Sequence, residues 1–364
     1  MNDSVTTTPL PAAGNLSRQE ILARIEAARK TLGERALLLC HHYQVDEIFR
    51  FADATGDSFK LARIAADRRD AEFIVFCGVH FMAESADILT SEDQVVLLPD
   101  LAAGCTMADM ANLDQTETAW EALLEAGGDD LVPVTYMNSS AAIKAFCGRN
   151  GGVVCTSSNA LAVLEWAWSR KRRVLFLPDE HLGRNMAWRM GVPLEEMSVW
   201  DPMALAEENL AAGCDKARLI LWKGFCSVHG RFLPEHVDQV RQRIPGVQVI
   251  AHPECSFEVL ERSDHWGSTE KIIKTISEAP AGSRWAVGTE FNLVSRLARL
   301  HPDKTVVSLS GINCLCSTMY RIDPAHLMLC LEGLLEGRFQ HRISVPEDVR
   351  EDALTALDRM LALA

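Results

Sequence analysis

Three cysteines lie in similar local sequences, each in a different third of the chain. Cys105 opens Cys-Thr-Met, Cys226 opens Cys-Ser-Val-His and Cys316 opens Cys-Ser-Thr-Met, and each follows a segment typical of a buried strand. Thiolates that converge from three segments can hold an iron–sulfur cluster and leave one iron without a protein ligand. Because such an iron is a Lewis acid, the pattern predicts a cluster that performs chemistry rather than electron transfer.

The segments that would position these cysteines alternate between short apolar runs and helical stretches, as in parallel sheets covered on both faces. The apolar runs form three groups, and each group ends shortly before one of the three cysteines. We therefore predict an α/β fold of three similar units of about a hundred residues each. The predicted strands are Ala36–Cys40, Phe73–Cys77, Val95–Leu98, Leu131–Tyr136, Val153–Cys155, Val174–Leu177, Leu219–Trp222, Val247–Ala251, Trp285–Val287 and Thr305–Leu309, with a weaker one near His265.

Helix start signals stand at both ends of the chain. A Ser or Thr followed three residues later by Glu predicts a capping box, and Asp is a favoured N-cap. We expect the two helices near the C-terminus to cover an exposed sheet face. The predicted signals are Ser17 with Glu20 for a first helix that ends at Gly33, Asp323 for a helix through Leu334, and Ser344 with Glu347 for a last helix.

Length, charge and composition argue against a nucleic-acid-binding, membrane or secreted protein. A length of 364 residues fits two or three domains, and a formal charge of −14 without a Lys/Arg block argues against a nucleic-acid partner. No apolar run reaches the ~20 residues that span a bilayer, so we expect no membrane association. Residues 1–16 lack the basic and apolar regions of a secretory signal and are predicted to be a disordered lead-in. Eleven cysteines then indicate reduced thiols or metal ligands in the cytoplasm.

Several familiar motifs are missing from the sequence. It contains no GxGxxG after a strand, no GxxxxGK[ST] and no HExxH, so a dinucleotide fold, a P-loop and a zincin site are all unsupported. His252-Pro253-Glu254 has the H-x-E form of zinc deaminases, but the Pro-Cys-x-x-Cys of that class does not follow it.

Polar residues follow the predicted strands, at the carboxyl ends where open α/β sheets bind ligands. Hydroxyls and amides at helix N-termini there suit carboxylate or phosphate groups, although any single Ser or Asn is more often only a helix cap. The polar clusters lie at 40–43, 136–140, 155–159, 222–229, 252–254 and 267–269.

These clusters carry a resemblance to the quinolinate synthases. The resemblance runs from about residue 36 to 320, and many ordered motifs on one chain are more specific than any single one. The matching strings are His-His-Tyr at 41–43, Gly-Asp-Ser at 56–58, Tyr-Met-Asn at 136–138, Cys-Thr-Ser-Ser-Asn at 155–159, Pro-Asp-Glu-His-Leu-Gly-Arg at 178–184, Gly-Phe-Cys-Ser-Val-His at 224–229, His-Pro-Glu at 252–254, Gly-Ser-Thr at 267–269 and Cys-Ser-Thr-Met at 316–319.

The resemblance implies an activity and an architecture. Quinolinate synthases condense iminoaspartate with dihydroxyacetone phosphate, with loss of two waters and phosphate, in de novo NAD biosynthesis. An aspartate oxidase or dehydrogenase is then needed to supply the unstable imine. The implied fold is three three-layer α/β/α domains with parallel sheets about a pseudo-threefold axis. We predict domains at 17–105, 106–226 and 227–319, with the helices of 320–364 packed back on the first.

The resemblance also implies roles for individual residues. A [4Fe-4S] cluster would be held by Cys105, Cys226 and Cys316, one from each domain. Proton transfer near neutral pH suits His or Glu side chains whose pKa values are tuned by burial, and we predict Glu254 as general base with Tyr43 and His252 as orienting or relaying partners. The predicted substrate-binding residues are His41, Ser58, Tyr136, Asn138, Ser157, His229, His252, Glu254, Ser268 and Thr269.

The third cysteine ligand has a competitor. Some members of the family carry a Cys-x-x-Cys-x-x-Cys run in this region, whereas this chain has Cys314-Leu315-Cys316. The register of Cys-Ser-Thr-Met favours Cys316.

Two other functions stay open. One is a zinc hydrolase that uses Cys226, His229 and the pair Cys314 and Cys316. The other is a non-enzymatic iron sensor or scaffold whose cluster is fully coordinated.

Overall fold

The computed structural model describes residues 16–363, and within that range the chain forms fourteen β-strands and fifteen α-helices. The predicted disordered lead-in, apart from Leu16, lies outside the described residues. The strands are β1 (Ala36–His41), β2 (Ala54–Gly56), β3 (Phe73–Cys77), β4 (Val95–Leu97), β5 (Leu131–Tyr136), β6 (Val153–Cys155), β7 (Arg173–Leu177), β8 (Met197–Trp200), β9 (Leu219–Trp222), β10 (Gln248–Ala251), β11 (His265–Trp266), β12 (Arg284–Gly288), β13 (Thr305–Ser308) and β14 (Arg342–Ile343).

The helices alternate with these strands along most of the chain, which is the βα pattern that the sequence predicts. They are α1 (Arg18–Leu32), α2 (Asp46–Phe49), α3 (Ser58–Asp67), α4 (His80–Leu89), α5 (Leu113–Gly127), α6 (Ala141–Arg149), α7 (Ala160–Trp168), α8 (Glu180–Arg189), α9 (Ala206–Asn209), α10 (Pro234–Arg243), α11 (Phe257–Arg262), α12 (Thr269–Glu278), α13 (Phe291–Leu300), α14 (Pro324–Leu335) and α15 (Glu347–Ala362). None of these helices is both long enough and apolar enough to span a membrane.

The strands form three sheets that share one topology. Their orders are β14-β4-β3-β1-β2, β6-β5-β7-β9-β8 and β11-β10-β12-β13. In each sheet the first strand lies between the second and the third, and β4, β9 or β13 lies on the other side of the third strand; all of these strands are parallel. In the second sheet β8 precedes β9 in the chain and forms a parallel edge strand beside it. The α/β prediction with several parallel sheets flanked by helices is confirmed, while the pseudo-threefold axis and the three domain ranges stay predictions.

Central strands were the easiest elements to predict because both of their faces are covered. Every residue of β1, β3, β5 and β7 is buried, and the sequences of these strands are therefore nearly continuous runs of apolar residues. The three strands that the sequence did not reveal, β2, β8 and β14, are edge strands of two to four residues. They need no apolar run, because an edge strand is only partly covered.

Two of the three predicted helix starts are confirmed. Ser17 and Glu20 form the capping box of α1, and the Asp323 carboxylate accepts from the backbone N–H of His326 at the start of α14. The predicted box of Ser344 with Glu347 is wrong. Pro346 occupies the N-cap position of α15, so Glu347 is the first helical residue and Ser344 lies too far outside the helix to cap it.

The two C-terminal helices pack on different sheets. Helix α14 lies along α1, and β14 extends the first sheet as an antiparallel edge beside β4. Helix α15 instead lies mainly along α6 of the second sheet, where an Arg359 Nη1 N–H donates to the carbonyl oxygen of Gly152 at 2.6 Å. We predicted that both helices pack on the first domain. The sequence carries no signal that shows which sheet an apolar helix face covers.

Gly148 allows α6 and α15 to approach closely. A Cβ atom at this position would lie 1.9 Å from the carbonyl oxygen of Asp352. We expect Gly148→Ala to lower the free energy of unfolding by about 1–3 kcal/mol, the usual cost of overpacking, because backbone must move. Thermal unfolding of this variant beside Glu351→Ala, a change at an exposed site on α15, measures the effect. An unchanged midpoint for Gly148→Ala would contradict the close approach.

Candidate active site

One cavity lies at the carboxyl ends of the strands of all three sheets. The first strand of each sheet leads into two of its lining residues: His41 and Tyr43, Tyr136 and Asn138, or His252 and Glu254. The second strand leads into Ser58, Ser157 or Thr269, and the segment after β4, β9 or β13 supplies Cys105, Cys226 or Cys316, respectively. The shared topology of the sheets therefore explains why residues so far apart in sequence meet.

Glu254 lies between two histidines inside this cavity and is almost fully buried. Its Oε2 atom is 2.6 Å from His229 Nδ1 and 3.3 Å from His252 Nδ1, and the two imidazole rings stack with centroids 4.5 Å apart. The Asn138 amide donates to Oε1 at 3.4 Å. Burial alone would raise the pKa of Glu254, but the two histidines outweigh it and the pKa is lowered. Glu254 is therefore a permanent carboxylate near neutral pH, and a weak base on its own.

Two tyrosines face the same carboxylate. Burial, with the nearby negative charge of Glu254, raises the pKa values of Tyr43 and Tyr136 well above the usual value. Both phenols therefore stay protonated near neutral pH. The Tyr43 Oη lies 2.8 Å from the hydroxyl of Thr289, which is itself 3.2 Å from His229 Nε2. The phenols can thus hydrogen-bond a substrate without adding charge to the cavity.

The serine and threonine residues of the cavity lie at helix N-termini. Ser58 and Thr269 are the first residues of α3 and α12, and Ser157 lies in the turn before α7. Asp57 caps α3 by accepting from the Lys60 N–H at 2.9 Å, and its other carboxylate oxygen accepts from the Ser158 hydroxyl at 2.8 Å. Backbone N–H groups and hydroxyls at such positions favour anionic ligands.

The three cysteines of the cavity differ from the others in the chain. Cys105, Cys226 and Cys316 are partly exposed, whereas the other cysteines are buried. Each opens a turn in which the N–H four residues on donates to the cysteine carbonyl, at 3.2, 2.9 and 3.0 Å respectively. A short 3₁₀-helix starts three residues after each cysteine, at Ala108, His229 and Met319.

This donor set fits a metal cluster. The backbone N–H groups two and three residues after each cysteine approach its sulfur and favour the thiolate. Burial has the larger effect and raises the pKa of all three thiols, that of Cys105 to about 12. The thiolate forms therefore need the positive charge of metal ions, and three soft sulfur donors at one cavity are the ligands that iron–sulfur clusters use.

Cys314 has a different environment from Cys316. Its side chain is fully buried in the apolar core of the third sheet, with Sγ 3.4 Å from the hydroxyl of Ser310, and it does not line the cavity. A second possible donor group shares Cys226: its sulfur, a His229 ring nitrogen and a Glu254 carboxylate oxygen lie within 4.8 Å of one another. In this donor set Glu254 takes the place of the pair Cys314 and Cys316 that was predicted for the zinc alternative.

Comparison with known proteins gives a consistent result. The family model described as quinolinate synthetase A protein matches residues 23–362. The chain is 58% identical to the quinolinate synthase of Nocardioides sp. over 355 residues, covering 94% of this chain and 89% of that one. It is 54% identical to that of Anoxybacillus flavithermus over 96% of this chain and 95% of that one, and 53% identical to that of Bacillus subtilis over 96% and 94%.

The chain belongs to the quinolinate synthetase A family. The resemblance noted from the motifs is therefore confirmed, and it extends beyond residues 36–320 to nearly the whole chain.

In this family member the cavity brings together all of the predicted site residues except one. Ser268 is buried beside the cavity and caps α12, where its hydroxyl accepts from the Lys271 N–H at 3.4 Å. His42 points away from the site, as its position next to His41 on a strand predicts, with Nε2 2.9 Å from Glu270 Oε1.

Sequence reasoning missed some residues of the site. Val79, Phe81 and Met82, which follow the third strand of the first sheet, form an apolar wall of the cavity. Thr289, which follows the third strand of the third sheet, contacts two cavity residues from behind. These positions also follow the carboxyl ends of parallel strands, where ligands are expected to bind. However, an apolar segment and a single threonine do not identify a binding site in the sequence.

Proposed function

We propose that this protein condenses iminoaspartate with dihydroxyacetone phosphate to quinolinate, with loss of two waters and phosphate, in NAD biosynthesis. The observation that carries the proposal is the convergence, in one cavity of a quinolinate synthetase A family member, of the three partly exposed cysteines with the Glu254–His229–His252 cluster. We further propose a cytoplasmic location and functional coupling to an aspartate oxidase or dehydrogenase that supplies the imine.

The proposed cofactor is a [4Fe-4S] cluster held by Cys105, Cys226 and Cys316. When bound, it supplies an open iron that acts as a Lewis acid toward a hydroxyl leaving group. The backbone N–H groups at the three cysteine turns would stabilise its negative sulfur ligands.

The chain's own residues have to bind a strongly anionic substrate pair. Among the described residues that line the cavity there is no Lys or Arg. Carboxylate and phosphate groups would therefore be bound by neutral donors: the hydroxyls of Ser58, Ser157 and Thr269 at helix N-termini, and the side chains of His41 and Asn138. Tyr136 and Tyr43 would add phenol groups that stay protonated.

Proton transfer is assigned to the cluster around Glu254. We assign Glu254 as general base, with His252 and Tyr43 as the partners that orient it or relay the proton. Because the pKa of Glu254 is lowered, the carboxylate stays ionised and would accept a proton only transiently, while the imidazoles 2.6 and 3.3 Å away orient it. The apolar wall of Val79 and Phe81 would limit the access of water.

A turnover assay tests the proposed function. Protein purified without oxygen is mixed with dihydroxyacetone phosphate and with iminoaspartate made in place by an aspartate oxidase, and quinolinate is measured by mass spectrometry. We expect quinolinate only when both substrates are present. A protein that carries its full complement of metal and forms no quinolinate would refute the proposal.

The zinc hydrolase is a second candidate because Cys226, His229 and Glu254 offer donor atoms within 4.8 Å of one another. It predicts a colourless protein with stoichiometric zinc, whereas an iron–sulfur protein is brown and bleaches in air.

A further inference from the structure

We propose that Lys144 is a buried positive charge behind the wall of this cavity, and that it stabilises the negative charge of a metal-bound thiolate at Cys105. Lys144 lies on α6, its side chain is fully buried, and it does not line the cavity itself. Burial of an ammonium group is costly unless hydrogen bonds or an opposite charge compensate for it. The inference depends on the proposed cluster but not on the formation of quinolinate.

Lys144 has a single hydrogen-bond partner within the described range of the chain. Its Nζ atom donates to the carbonyl oxygen of Ser139 at 2.5 Å, in the turn between β5 and α6 that also carries Asn138. The ring of Phe81, which lines the cavity, has its centroid 5.5 Å from the same nitrogen. Because an ammonium group has three N–H donors, these contacts satisfy it only in part.

Glu84 compensates for the charge of Lys144 incompletely. It is the acidic residue that acts most strongly on Lys144. However, its Oε2 atom accepts from the Ala141 N–H at 3.1 Å, and its Oε1 atom lies 3.7 Å from His80 Nδ1. Among residues 16–363 it forms no ion pair with Lys144 itself. Burial lowers the pKa of Lys144 to about 8, so the ammonium form still predominates near neutral pH.

Two cysteines lie close enough to Lys144 for their charge to act on it, Cys147 and Cys105. Cys147 is fully buried on the same helix, and burial raises its pKa so far that it stays a neutral thiol. Cys105 lines the cavity, and a cysteine that binds metal does so as a thiolate. A metal-bound thiolate at Cys105 is therefore the negative charge that Lys144 can stabilise.

Lys144→Met and Glu84→Gln form a matched pair of opposite sign. Methionine keeps an unbranched apolar chain without the positive charge, and glutamine keeps an acceptor for Ala141 without the negative charge. A nearby positive charge favours the reduced cluster, which carries one more electron. We expect Lys144→Met to lower the equilibrium constant for one-electron reduction roughly tenfold, which is a potential about 59 mV more negative. Glu84→Gln should give a smaller shift to more positive potential, because His80 shares its charge.

Redox titration of the full chain purified without oxygen, followed by the EPR signal of the reduced cluster, measures these shifts. Lys216→Met is the control, because the side chain of Lys216 is 87% exposed, and it should keep the wild-type potential. An unchanged potential in Lys144→Met, or shifts of the same sign in Lys144→Met and Glu84→Gln, would overturn the proposal.

The remaining outcomes separate this inference from the proposed function. A protein that binds no iron–sulfur cluster would overturn both. If Lys144→Met yields no folded protein, Glu84→Gln decides, and a potential that does not become more positive would overturn the proposal. The expected shifts in a protein that forms no quinolinate would support the role of Lys144 and refute the proposed function.

Discussion

Cys105→Ala, Cys226→Ala and Cys316→Ala are each expected to abolish quinolinate formation and to lose most of the bound iron, whereas Cys314→Ala is expected to retain both. The reason is the position of the four sulfur atoms. Cys105, Cys226 and Cys316 line the cavity, but Cys314 is sealed in the core of the third sheet two residues away from Cys316.

The loss should be close to complete in all three variants. Each thiol is held protonated by burial unless metal ions are bound, and no spare cysteine lines the described part of the cavity to take its place. A cluster with two protein ligands would be labile, and its chemistry would be lost with it.

Iron and acid-labile sulfide, counted in each variant next to its quinolinate yield, check this expectation. Cys314→Ala is the matched control, because it removes a sulfur from the same loop. Full activity in any of the three cavity variants would contradict the three-ligand assignment. Loss of iron in Cys314→Ala, with full iron in Cys316→Ala, would show that Cys314 and not Cys316 is the third ligand.

Glu254→Gln is expected to lower turnover by a factor of about 100 or more while the iron content stays that of wild type. Glutamine keeps the size of the side chain but removes the charge that faces His229 and His252 at 2.6 and 3.3 Å. The two stacked imidazoles would then lose the acceptor that orients them, and the site would lose its proposed base.

Steady-state kinetics of Glu254→Gln, with iron counted in the same sample, measure this effect. Glu258→Gln, at an exposed site four residues further along the chain, is the control and should behave as wild type. Wild-type turnover in Glu254→Gln would remove Glu254 from the general-base role. Loss of iron together with turnover would instead make Glu254 part of the metal site, as the zinc alternative requires.

The sequence predicted the interior of the fold more accurately than its edges. Strands such as Leu131–Tyr136 and Leu219–Trp222 were predicted to the residue, because a strand buried on both faces must be apolar throughout. The edge strands Ala54–Gly56 and Arg342–Ile343 were not, since they form only when a neighbouring strand is already in place. The packing of α15 on α6 depends on the missing side chain at Gly148, which has no local pattern.

Some residues of the candidate site could likewise be predicted from the sequence, and others could not. His252 and Glu254 could be selected from the sequence because a polar cluster follows a buried strand, and the structure places both in the cavity. Ser268 could not be separated from Thr269 in sequence, since the choice depends on which of the two side chains turns inward at the start of α12. The contact between Thr289 and Tyr43 could not be predicted from the sequence, because 246 positions separate the two residues and only the folded chain brings them together.

The most direct test of the central claim is an elemental and catalytic measurement on one sample. Iron, sulfide and zinc are counted in protein purified without oxygen, and the same sample is assayed with iminoaspartate and dihydroxyacetone phosphate. We expect the iron and sulfide of one [4Fe-4S] cluster per chain and the formation of quinolinate. Stoichiometric zinc in place of iron, or a full cluster without quinolinate, would contradict the proposed function.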